Sequence, residues 1–124
     1  RIFRDGTASA CPSKVYPGLF NAATSYAFNT HTFTNSSGSP VCLTVNFDLG
    51  TCAGTLNNAH ASAYLGAYSP TNQAAGYVGD VGSSLSQPFA FTVPGGGKFV
   101  IVVTNVTAAA TCNYQFSFNT AVCQ

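Results

Sequence analysis

Five cysteines are the residues of this sequence with the most chemistry to offer. Cys11, Cys42, Cys52, Cys112 and Cys123 include no Cys-x-x-Cys pair, so they read as disulfide partners in an oxidising compartment and not as metal ligands. An odd set leaves one thiol after two intrachain bridges, available for a neighbouring molecule. Cys42 and Cys112 each stand beside an expected strand start, and a Cys42–Cys112 bridge is the expectation. One of Cys11, Cys52 or Cys123 would then bond to another subunit. The competing arrangement clips Cys11 to Cys123 and leaves Cys52 free.

The other reactive types are sparse. Asp48 and Asp80 could join loop oxygens around Ca²⁺, but two acids far apart in sequence are a weak signal, and turn hydrogen bonds are the simpler role. No resident metal or cofactor is expected. His31 and His60 fall on expected strands. There is no Gly-x-Ser-x-Gly elbow and no close carboxylate pair, so neither nucleophilic hydrolysis nor glycoside chemistry is expected, and the chain does not read as an enzyme. Tyr64, Tyr68 and Tyr77 could form an aromatic platform for the apolar faces of sugars. Asn35-Ser-Ser and Asn105-Val-Thr are glycan-acceptor triplets, at Asn35 and Asn105.

Composition narrows the partners. Only 6% of the 124 residues are charged and the net charge is +1, against about 25% charged in an ordinary soluble domain. Weak self-repulsion tolerates close association of copies. No basic patch offers itself to nucleic acid. The apolar run Phe99 to Val103 is too short to insert in a membrane. The sequence has no initiator Met and no leader-like segment, and reads as a mature or excised chain of extracellular or cell-surface location.

The elements that must position these residues are strands. Lys98 to Val106 puts Phe99, Ile101 and Val103 on one face and Val100 and Val102 on the other, so it needs cover on both sides and reads as a central strand. Val41 to Asp48 and His60 to Tyr68 alternate, with Ala61 and Ala63 leaving room for large rings opposite. Pro88 to Val93 and Thr111 to Asn119 add two further strands. Ser25 to Thr34 carries Phe28 and Phe33 at opposite parity, which predicts a bulge near Asn29 or Thr30. Ser69 to Ser86 reads as one long irregular loop. No window has a helical period. The expectation is an all-β antiparallel sandwich or jelly roll of seven or eight strands.

The N-terminal stretch stands apart. Arg1 to Gly6 carries Ile2 and Phe3, and Pro12 and Pro17 keep the following tether from being helical. Residues 1–18 are expected as an extended arm and tether, and 19–124 as the sandwich. Such an arm is either the first strand of its own sandwich or a strand given to another copy.

Three segments together, Tyr26-x-Phe28 with Thr32-Phe-Thr-Asn35, Ala63-Tyr-Leu-Gly-Ala-Tyr68, and Phe91-Thr-Val-Pro-Gly-Gly-Gly-Lys-Phe-Val-Ile-Val-Val103, resemble the secreted bacterial β-sandwich domains related to the pre-peptidase C-terminal domain. The resemblance spans most of Thr24 to Asn119. It implies a sandwich and a role in adhesion, secretion or attachment. The repeat type most similar carries extra paired cysteines near the positions of Val15, Tyr16 and Gln73, which this chain lacks. The functional expectation is a subunit of a fibre, pilus-like or adhesive assembly that binds copies of itself, by giving its arm to the next copy. The alternative is a module of a larger secreted protein that binds carbohydrate or cell-surface glycans.

Overall fold

The computed structural model describes residues 1–54, 57–107 and 111–122. Seven strands form two antiparallel sheets: β1 (Phe28–Thr34), β2 (Val41–Asp48), β3 (Ala59–Leu65), β4 (Tyr77–Asp80), β5 (Pro88–Val93), β6 (Lys98–Asn105) and β7 (Gln115–Val122). One sheet runs β1-β6-β3-β4 and the other β5-β2-β7. The one helical piece among the described residues is a 3-10 turn at Gly50–Cys52. The chain is an all-β sandwich, as its alternation dictates.

The core lies between the sheets. Phe99, Ile101 and Val103 of β6 and Ala59, Ala61 and Ala63 of β3 face Leu43, Val45 and Phe47 of β2 and Phe89, Phe91 and Val93 of β5. The small alanines admit the phenyl rings opposite, which keeps the layer dense. The outer face of β6 is also covered: Val100 and Val102 pack with Tyr64 under Tyr68 and Tyr77. Both faces of the valine-rich strand are therefore dry.

Several local expectations change. β1 runs in unbroken register with β6, from Phe28 opposite Thr104 to Thr34 opposite Lys98. The two phenylalanines need no bulge, because Phe33 points into the core while Phe28 points outward against Tyr68. The register shift lies instead in the β3–β4 pair, between Ala63 and Tyr64, where Val78 of β4 is the extra residue. The 69–86 stretch contains β4, a four-residue strand hidden from an alternation reading by its length and its glycine. The last strand starts at Gln115, later than the expected Thr111, and runs past the expected Asn119 to Val122.

The disulfides also differ. Cys11 bonds to Cys42 and Cys52 to Cys112. β2 pairs antiparallel with β7, with Cys42 opposite Ala121 and Asp48 opposite Gln115. Cys42 and Cys112 therefore stand at opposite ends of the pair, which overturns the Cys42–Cys112 bridge. The Cys11–Cys123 clip fails as well, since Cys11 is already bonded. Cys123 lies outside the described residues. Two disulfides indicate an oxidising environment. No helix among the described residues is long and apolar enough to cross a membrane.

Candidate functional site

The N-terminal stretch is where the sequence asks for function, and it is built into the wall of the sandwich. Residues 6–14 lie in the seam between the edges of β4 and β5. On one side Gly6, Ser9 and Lys14 donate their backbone N–H groups to Gly82 O at 2.9 Å, Asp80 O at 2.9 Å and Val78 O at 3.0 Å. On the other side Ala90 N–H donates to Ser9 O at 2.9 Å and Thr92 N–H to Pro12 O at 2.8 Å. One segment thus satisfies two sheet edges at once. The sequence makes room for it with two glycines: a Cβ on Gly79 would meet the Ser9 side chain, and one on Gly82 would meet the backbone of Thr7. The boundary expected at Gly18 therefore does not separate two bodies.

The tip, Arg1 to Gly6, is held more lightly. Ile2 forms a single bridge to Leu19, flanked by Phe3 N–H to Gly18 O and Phe20 N–H to Arg1 O, each 2.8 Å. Ile2 is 3% exposed within its own chain, whereas Phe3 is 44% exposed beside Phe20. The Arg1 guanidinium lies 4.1 Å from the Phe20 ring centre and 5.2 Å from that of Tyr26, a cation–π arrangement.

Beneath the segment is a charged cluster that sequence reading did not assemble. Lys14 Nζ donates to Asp5 Oδ1 at 2.6 Å, to Asp80 Oδ1 at 3.0 Å, and to Thr7 O at 2.6 Å. Asp80 is fully buried. It also accepts from Tyr77 O–H and from Gly82 N–H. His60 Nε2 stands 3.7 Å from Asp80 Oδ1, buried and without a hydrogen-bond partner. Burial pushes the Asp80 carboxyl upward, but His60, Tyr77 and Lys14 outweigh it and hold the group below the usual carboxylate range. Burial, more than it is offset by Asp80, holds His60 below its ordinary value. Burial and then the bond from the Asp80 neighbourhood raise the Tyr77 hydroxyl. The missing signal is sequence distance: Asp5, Lys14, His60 and Asp80 meet only through the fold.

The opposite side of the sandwich is open. β1 and β7 are the remaining sheet edges, and neither has a further strand beside it among the described residues. Neither contains a charged residue or a proline. Between them His31 Nε2 and Tyr114 O–H share a 2.7 Å hydrogen bond, and Phe33 packs on Phe116 and Phe118. A cleft of about 210 Å³ opens here beside Phe28, Asn29, Val103 and Tyr114.

The tyrosine platform does not form. Tyr64 is fully buried beneath Tyr68 and Tyr77, because it sits on the covered outer face of β3. Tyr77 spends its hydroxyl on Asp80. Tyr68 alone of the three lines an open cleft, of about 350 Å³, together with Arg1, Tyr26, Phe28, Gln73 and Thr104. Asp48 and Asp80 do not meet at a cation site: Asp48 accepts from Gly50 N–H and from Gln115 Nε2, both at 2.9 Å, a turn role, and no metal-holding group of His, Cys, Asp or Glu occurs among the described residues. Asn35 is buried, and its Nδ2 donates to the carbonyls of Ser39, Val93 and Pro94. That amide fixes the Ser36–Pro40 turn and has no room for a glycan. Asn105 is half-buried at the end of β6, donating its N–H to Ala27 O at 2.9 Å. Comparison with known protein families, with curated proteins and with solved structures finds no match for this chain.

Proposed function

We propose that the chain is a structural subunit of an extracellular fibre or adhesive surface assembly, joined head-to-tail by addition of its N-terminal strand. One observation carries the reading: among the described residues the sandwich is closed on the β4/β5 side by its own residues 6–14 and left open on the β1/β7 side. An uncharged, proline-free edge is the kind that accepts a further strand. The tip Arg1 to Gly6 is the segment to be given: one bridge, few main-chain bonds and the Arg4–Ser84 and Asp5–Lys14 contacts are what its release must break, and Ile2 and Phe3 supply side chains for the cleft beside Phe28, Asn29 and Tyr114. Donor and acceptor are different surfaces of the chain, so the contact is head-to-tail, and a rotation that does not close a ring makes it a filament. With four cysteines spent within the chain, Cys123 is the one left for a bond between copies.

Deleting residues 1–6 should abolish fibres in negative stain while the body keeps its β-sheet circular dichroism. The intact protein should give a ladder on non-reducing gels that collapses on reduction. Fibres formed by the shortened chain would sink the idea.

A second reading has its own observation. The 350 Å³ cleft pairs the Tyr26, Phe28 and Tyr68 rings with Arg1, Gln73 and Thr104, a mix of apolar faces and hydrogen-bonding groups suited to a glycan. A glycan-array signal lost in Tyr68→Ala would favour it; a folded monomer that gives no signal would count against it.

A further inference from the structure

We propose that Lys14 and Asp80 condense into an intramolecular amide, with Asp5 carrying the proton. Three features of the buried cluster lead there. The amine and the carboxyl are held in contact, with Lys14 Nζ 3.0 and 3.2 Å from the two Asp80 oxygens and the side chains 11% and 0% exposed. The carboxyl is polarised by donors on both oxygens, Gly82 N–H on Oδ1 at 2.6 Å and Tyr77 O–H on Oδ2. A second carboxylate, Asp5, touches the same Nζ at 2.6 Å from the side facing solvent.

The reaction needs a neutral amine and a neutral acid, which together carry the same net charge as the ion pair. A proton passing from Nζ to Asp80 across the existing contact produces them. In water the two reference values lie about 6.5 apart in favour of the ion pair, so the neutral pair is a minor form on which the reaction draws. His60 Nε2, buried 3.7 Å from Oδ1, has to close by about 0.5 Å to accept the hydrogen of a protonated Asp80. Nζ then attacks Cγ of Asp80; with the acid proton on Oδ1, the oxyanion develops on Oδ2, where Tyr77 O–H meets it, while Gly82 N–H stays on the Oδ1 that departs. Asp5 takes one proton from Nζ and delivers it to the departing oxygen. The N–C bond forms, one C–O bond breaks and one water leaves. Asp5 returns to its starting state, and no oxidant or co-reactant is consumed. The product staples the segment before Val15 to β4, close to the point where Cys11–Cys42 fastens it to β2. Only the tip preceding these two links then stays free to move. The proposal does not rest on assembly, and its failure would leave that reading intact.

Intact-mass measurement of the folded, then reduced and denatured, full chain tests it. The expected mass is lower by one water, about 18 Da. Trypsin should fail to cut after Lys14 and leave residues 5–98 as one peptide light by the same amount. Lys14→Arg should restore the full mass and cleavage after position 14, and Asp80→Ala should also restore the full mass. Asp5→Asn should slow the loss of water by about 100-fold or more. A full mass with complete cleavage after Lys14 would overturn the proposal. So would a water loss that persists in Lys14→Arg, which would mark a succinimide at Asp5-Gly6 instead.

Discussion

Asp80 gathers its partners from four separate parts of the chain: Ser9 and Lys14 from the N-terminal segment, His60 from β3, Tyr77 from β4 and Gly82 from the turn after it. A buried carboxylate is tolerated only when its lone pairs and its charge are matched, and here they are. His60 is the exposed flank of that arrangement in the energetic sense, because it is buried neutral and its Nε2 lacks a partner. Its folded value lies below the unfolded value of about 6.5, so on acidification the unfolded chain takes up the proton first and stability falls from about pH 6.5 downward. In the chain before Lys14 and Asp80 condense, Asp5 and Asp80 also lie below their ordinary values, Asp5 because the Lys14 bond and Thr7 N–H overcome its desolvation. They add a second loss as pH falls below about 3.9. Thermal unfolding followed against pH should show both declines. His60→Gln should remove the upper one and leave the lower, and an unchanged profile in that variant would mean the imidazole is not its source.

At the scale of the element, β4 and β1 make an instructive pair. β4 has four residues and is flanked by a seam that residues 6–14 fill, with Gly79 and Gly82 lowering the sheet surface for the incoming backbone. β1 and β7 are longer, seven and eight residues, and their outer edges are bare among the described residues. Sheets usually protect such edges with lysine, proline or a bulge, and none of these is present here. Thr30→Lys and Ser117→Lys, on exposed positions of β1 and β7, supply that protection. Each should change folding stability by less than about 0.5 kcal/mol, as surface substitutions do. Together they should stop fibre growth in negative stain, and undiminished fibres would exclude these edges as the acceptor.

For the molecule as a whole, a 124-residue chain with 6% charge has little electrostatic means of keeping copies apart. Its stability rests on the phenylalanine-rich layer between the sheets and on two cross-links. The disulfides span 31 and 60 residues, each worth about 4 kcal/mol through the entropy of the unfolded chain. Their placement matters more than their sum. Cys11–Cys42 ties the N-terminal segment to the middle strand of the smaller sheet, and Cys52–Cys112 ties the turn after β2 to the approach to β7. The segment that would move in assembly is thereby limited to the residues ahead of Cys11, which is why the tip and not the tether is the strand on offer.

What the sequence determined by itself was the class of fold and the inner face of β2, β3 and β6. Alternation in Val41–Asp48 and in His60–Leu65, and the two-faced apolar run of Lys98–Val103, are local consequences of a two-residue side-chain period. The odd cysteine count and the low charge were equally plain. Tertiary structure decided everything that depends on strands distant in sequence coming side by side. The antiparallel β2–β7 register put Cys42 and Cys112 at opposite ends, and the covered outer face of β3 buried Tyr64. The seam between β4 and β5 drew Lys14, Asp5 and His60 around Asp80. Those outcomes rest on which strand edges meet, a choice made by the packing of the whole core and not written in the period of any one segment.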